Sequence, residues 1–177
     1  EFRRVLFRSS NAKVEVPENK EYKDVILSRD SNYGKTVIEN NIRILEDTLK
    51  IHDPDALHNA AMAIMKARKV LIFGKGSSYL VCKDLEMKLR RINKFAIAQG
   101  ESHEQLVDAS FINQNDAIVF ISNSGKTTEI ISAALLAKER KATIISIVKL
   151  GSSLLAELSD ITLYTTSLEG EFRSAAM

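Results

Sequence analysis

Apolar residues recur at two different periods along this chain, and the change falls at Arg68. Before it, Val37, Ile38, Ile42, Leu45 and Leu49 repeat at helical spacing. Asp53-Pro54-Asp55 then supplies a helix start, with an aspartate to cap the first amides and a proline in the first turn. Leu57, Ala61, Ile64 and Ala67 mark one face of that second helix. Past Arg68, short β-rich runs alternate with helical stretches. The pattern predicts strands over 70–73, 95–98, 117–122, 143–148 and 161–164, and helices over 79–91, 104–109, 127–140 and 153–158. Such alternation predicts a three-layer α/β sandwich around a parallel, roughly five-stranded sheet, preceded by connector helices. No internal repeat or low-complexity tract interrupts it.

Composition narrows the class. A chain of 177 residues with 45% hydrophobic positions is long and apolar enough to bury one core. No apolar run approaches the roughly 18 residues that a membrane-spanning helix needs. Residues 1–9 lack the long apolar centre of a signal peptide. The formal charge is +2, and three arginines against one glutamate in residues 1–9 account for all of it. The remainder sums to zero, so no basic surface for nucleic acid is expected. A single cysteine, Cys82, forms no internal disulfide, which fits a reducing compartment, and the cytoplasm is the expected location.

The first methionine is Met62, and the chain ends abruptly at Arg173-Ser174-Ala175-Ala176-Met177. The expectation is a piece of a longer protein. Residues 1–31 are expected to be non-native or linker sequence, 32–68 connector helices, and 69–177 one α/β domain truncated at its end.

Two strand-to-helix turns carry the chemistry. Gly74-Lys75-Gly76-Ser77-Ser78 follows the first strand, and Ser122-Asn123-Ser124-Gly125-Lys126-Thr127-Thr128 follows the third. In open α/β sheets, ligands sit at the C-terminal ends of strands. A helix N-terminus there offers amide hydrogens and partial positive charge, which suits a phosphate. Glycines admit close approach and short hydroxyls donate without filling the space. The first turn is no dinucleotide fingerprint, because Tyr79 stands where a further glycine is required, and no Walker-type loop is present. A tight connection with Ser124 as a cap is the plain reading of either turn alone. Two such turns in one sheet favour a hydroxyl-lined anion site.

With Gly-x-Gly-x-Ser upstream and Ser-x-Ser-Gly-x-Thr downstream, the sequence from about Ile64 onward resembles a SIS (sugar isomerase) domain, a Rossmann-like α/β fold. It is most similar to the effector domain of RpiR-family transcription regulators, through the stretch from Val81 to Ile92 and through Glu169 to Met177. Those regulators have an N-terminal helix-turn-helix domain, a connector and a C-terminal SIS domain. Glu21 to Leu27 resembles the tail of that DNA-binding domain, whose helix-turn-helix is missing here. The resemblance implies a phosphorylated sugar or amino sugar bound by Ser77, Ser78, Ser122, Asn123, Ser124, Gly125 and Thr127, without metal or cofactor. It also implies a homodimer, contact with DNA only through the missing domain, and a role in carbohydrate metabolism.

Other residues weigh less. His103, between Glu101 and Glu104, is placed either as a proton-transfer group for isomerisation or as a surface residue on a polar loop. In SIS isomerases similar to arabinose 5-phosphate isomerase, a His-Gly-Asp stretch precedes the second motif. Here Leu106-Val107-Asp108 stands there, which counts against catalysis. His52, His58, His103 and Cys82 show no metal-ligand spacing. Lys83, Lys88, Arg90 and Arg91 read as a solvated helix face. The leading expectation is a sugar-phosphate sensor with no catalytic residues. A phosphosugar isomerase and an α/β domain kept for dimerisation are the alternatives.

Overall fold

The computed structural model describes residues 33–167. The expectations for residues 1–31 and for Glu169 to Met177 lie outside them. The chain divides into two compact units, Glu1–Glu39 and Asn40–Met177. In the first unit, described residues 33–39 open helix α1 (Tyr33–Lys50). The second holds the rest of α1 and all that follows. Its order is α2 (Pro54–Lys66), β1 (Val70–Gly74), α3 (Ser77–Arg91), β2 (Ala96–Gln99), α4 (Ser102–Ser110) and β3 (Ala117–Ile121), then α5 (Thr128–Glu139), β4 (Thr143–Lys149), α6 (Leu154–Leu158) and β5 (Ile161–Thr165).

The five strands form one parallel sheet in the order β2-β1-β3-β4-β5. β1 and β3 are buried along their whole length, as strands covered on both faces must be. Alternate residues feed two cores. Leu71, Phe73, Ile118, Phe120 and Ile144 meet Ile130, Ala133, Ala134 and Ala137 of α5 and Leu155 of α6. Val70, Ile72, Ala96, Val119 and Ile145 meet Ala60 of α2 and Cys82 and Leu89 of α3 on the opposite face. Each large side chain contributes about 1.5–3 kcal/mol on burial, so the sheet outweighs any helix propensity. The predicted α/β sandwich is therefore present.

Two details differ from the pattern reading. On α2 the inward residues are Ala60, Ala63, Ile64 and Ala67, while Leu57 and Ala61 are exposed. Period alone left the rotation of that helix open by one position. On α1 the repeating Val37, Ile38, Ile42, Leu45 and Leu49 are exposed, and Ile44 is the buried residue. Asp53 does cap α2, accepting from the amides of Asp55 at 2.9 Å and Ala56 at 3.0 Å.

The strand order fixes where a ligand would sit. From β1 the chain runs through α3 outward to β2, and from β3 it runs through α5 the other way to β4. The connections diverge between adjacent strands β1 and β3, which opens a crevice beyond their C-terminal ends.

Candidate functional site

Both hydroxyl turns lie at that crevice, because Gly74 at the end of β1 pairs in register with Ile121 at the end of β3. At the first turn, a Cβ on Gly74 would stand 2.7 Å from Cys82 Sγ and 3.0 Å from the Ser78 carbonyl. Glycine thus lets α3 begin hard against the strand. Gly76 follows with φ +54°, a conformation L side chains rarely adopt. The chain turns early enough that Ser77 and Ser78 become the first two residues of α3, two positions before the sequence placed its start. Both are half-buried. The amides of Ser78 and Tyr79 donate to the carbonyls of Lys75 and Gly76 at 3.1 and 3.2 Å. Burial beneath this turn pushes the Cys82 thiol up to about 12, the state of a packing residue and not of a nucleophile.

The second turn is braced from outside. Gly125 has φ +58°, and a Cβ there would lie 2.5 Å from Ser153 Oγ. Ser153 is buried, caps α6 through the Ala156 amide at 3.2 Å, and so occupies the only space a side chain at 125 could take. Ser122 is buried, and its Oγ accepts the Gly125 amide at 3.2 Å. Ser124 Oγ accepts the Lys126 amide at 3.3 Å. Asn123 and Ser124 are half-buried, as is Thr127, the N-cap of α5.

The capping pattern separates these two helices from α2, α4 and α6. Side chains of Asp53, Glu101 and Ser153 cap α2, α4 and α6. At α3 the cap is Gly76, which has no side chain, and at α5 Thr127 makes no side-chain bond to its own helix. The two helices that begin at the crevice keep their partial positive charge free of a side-chain cap.

The turn after β2 completes the rim. Lys75 Nζ donates to Ser102 Oγ at 2.6 Å, joining the first turn to the start of α4. Buried Gln105 donates through Nε2 to the carbonyls of Gly74 at 3.1 Å and Gln99 at 2.8 Å, tying the ends of β1 and β2. Glu101 accepts the His103 amide at 2.7 Å, and that bond, with Lys75 nearby, holds its carboxyl below the ordinary value. His103 is exposed in the first turn of α4, not on a loop. Lys83, Lys88, Arg90 and Arg91 of α3 are exposed, as a solvated face requires, and two of them also serve a buried carboxylate. Lys83 pairs with buried Glu86, and so does Arg90, at 2.9 Å. Sequence reasoning missed Lys75, Ser102, Gln105 and Ser153. Of these, Ser153 before an apolar run carried a readable cap signal. Among the described residues, no group of three His, Cys, Asp or Glu could hold a metal ion, and no helix is long and apolar enough to cross a membrane.

Comparison with known proteins agrees with this geometry. The SIS domain family model matches residues 63–177. An uncharacterized HTH-type transcriptional regulator of Caldanaerobacter subterraneus subsp. tengcongensis is 36% identical over 152 residues, covering 86% of this chain and 51% of its own. The structure of Vibrio vulnificus NanR complexed with ManNAc-6P superposes with TM-score 0.77 at 30% identity, over 86% of this chain and 58% of that one. The sugar isomerase domain of an RpiR transcription factor from Sphaerobacter thermophilus shares the fold, with TM-score 0.72 at 22% identity over 78% of each chain. The chain spans about half the length of the curated relatives it matches. With its two hydroxyl turns at the switch point of a 2-1-3-4-5 parallel sheet, the chain belongs to the SIS domain family.

Proposed function

We propose that this chain is the effector-binding part of an RpiR-type regulator of carbohydrate metabolism, and that its effector is a phosphorylated sugar or amino sugar. The observation that carries this reading is the pair of helices at one crevice whose N-termini lack a side-chain cap. The phosphate sits between them, held by the hydroxyls of Ser77, Ser78, Ser122, Ser124 and Thr127, by the backbone at Gly125 and by Asn123. Several neutral donors and two helix dipoles suffice without a metal. The similarity to the NanR protein complexed with ManNAc-6P supports an amino-sugar phosphate within that class. DNA contact belongs to a helix-turn-helix domain such as the curated relatives' names describe. The cytoplasm follows from that role.

The protein acts as a homodimer in this reading. Ile42, Leu45 and Leu49 on α1 and Leu57, Met62 and Met65 on α2 leave apolar side chains exposed, which a second copy would cover. The site senses and does not catalyse: exposed His103 and Glu101 lie on the rim, with Glu101 engaged in capping. NMR of the chain with hexose and hexosamine 6-phosphates tests both claims. Ligand-induced shifts at the two turns without aldose–ketose interconversion are expected. Turnover abolished by His103→Ala establishes the isomerase instead, and sedimentation showing only monomer refutes the dimer.

A further inference from the structure

Directly after β5, Thr166 is tied to a residue 118 positions earlier. Its amide donates to Thr48 Oγ1 at 3.1 Å, its hydroxyl donates to the Ile44 carbonyl at 2.9 Å, and the two threonine hydroxyls lie 3.0 Å apart. These bonds latch the C-terminal half of α1 to the end of the sheet. Little apolar burial adds to them: Ile44 is buried, while Ile42, Leu45 and Leu49 face solvent. An element with so few buried contacts lies at the low-stability end of a fold and is easily released.

The other end of the path is the second hydroxyl turn. The Lys149 amide donates to the Asn123 carbonyl at 3.1 Å, joining that turn to the end of β4. The Leu150 amide donates to the Thr165 carbonyl at 2.8 Å, joining the end of β4 to the last residue of β5. Thr166 is next in the chain. Ser153, in the segment that follows Leu150, fills the space over Gly125. A shift of the 122–128 turn therefore presses on the segment whose far side holds the latch.

We propose that the Thr166–Thr48 latch transmits occupancy of the 122–128 turn to α1. An anion that fixes the turn steadies Lys149, Leu150 and Thr165, and favours the docked arrangement of α1. The inference rests on the effector reading for what occupies the turn. The mechanical link stands on the hydrogen bonds alone.

Hydrogen exchange read by mass spectrometry on the full 177-residue chain tests it, with inorganic phosphate and glucosamine 6-phosphate as probes. The expected result is protection of amides 122–128 together with slower exchange over 44–50. The second effect is roughly two- to tenfold, the range that one hydrogen bond's net worth gives an opening equilibrium. Thr166→Val, which loses the hydroxyl bond to Ile44 and keeps the amide bond to Thr48, shrinks the change at 44–50 and keeps that at 122–128, and Thr166→Ser, which retains both bonds, behaves as the parent. Protection of 122–128 with 44–50 unchanged, or the same change at 44–50 in Thr166→Val, overturns the proposal. If neither probe protects 122–128, the effector reading fails separately, and Gly125→Ala then decides the link. Its strained turn is expected to speed exchange at 44–50, with no further increase when Thr166→Val is added, and with α3 as the internal control. An unchanged α1 in that arm overturns the proposal.

Discussion

The two edges of the sheet handle their polar groups in opposite ways. At the N-terminal edge they close on one another. Arg68 Nε and Nη2 donate to Asp116 Oδ1 and Oδ2 at 3.0 and 3.1 Å, and the Asn113 amide donates to Oδ2 at 3.0 Å. Asp160 accepts the Ile144 amide at 2.8 Å, and Lys94 donates to the carbonyls of Met65 and Ala67. A cavity of about 540 Å³ lies there, lined by Met62, Lys66, Arg68, Asp116 and Thr143 among others. At the C-terminal edge, β1 and β3 lead through serine- and threonine-bearing turns into two helix N-termini that no side chain caps. Volume favours the first edge and chemistry the second. A charged group already paired has little left for a ligand, whereas an uncapped helix start has much.

Substitutions on the two edges should therefore separate stability from binding. The largest loss is expected at Gly125. Ala there meets a positive φ, worth about 1–2 kcal/mol, and a collision with Ser153 brings the total to about 3 kcal/mol. Gly76→Ala, with open space at its Cβ, should cost less. Urea denaturation giving equal losses would break the distinction between a braced and an open turn.

Arg68→Met at the opposite edge should lower stability by less than Gly125→Ala does. It leaves a carboxylate whose side chain has no exposed surface with the Asn113 amide as its remaining partner, and the 61% exposure of Arg68 screens the pair. Phosphate affinity should not change, and an affinity loss matching the stability loss would place the ligand at the wrong edge.

The smallest effect is expected at Glu101. Its carboxyl is held below the ordinary value by the His103 amide, so its support of α4 is full above that value and fades as pH falls through the lowered one. Glu101→Gln should flatten this acid-side loss of helicity, as followed by circular dichroism. An unaltered pH profile would remove Glu101 from the rim's electrostatics.

The sheet was legible because both of its faces are buried, so runs such as Ala117–Ile121 stand out from any polar context. The cap at Asp53 was legible because its chemistry is local. The rotation of α2 was not, since Ala60 and Ala61 differ only in what packs against them. The turns themselves could be read from glycines and hydroxyls at strand ends. What shapes them could not: Ser153 against Gly125, Gln105 between β1 and β2, and Lys75 on Ser102 are contacts made by strand order. Hydropathy encodes burial, and it is silent on which turns become neighbours.

Calorimetry on the parent chain and on Ser124→Ala tests the anion site most directly, with hexose and hexosamine 6-phosphates set against their unphosphorylated parents. A hydrogen bond to a charged group contributes roughly 1.5–3 kcal/mol, so Ser124→Ala should weaken binding about tenfold or more. The free sugars should bind far more weakly than their phosphates. Equal affinity for phosphorylated and free sugars, or full affinity in Ser124→Ala, would contradict a phosphate held between the two uncapped helices.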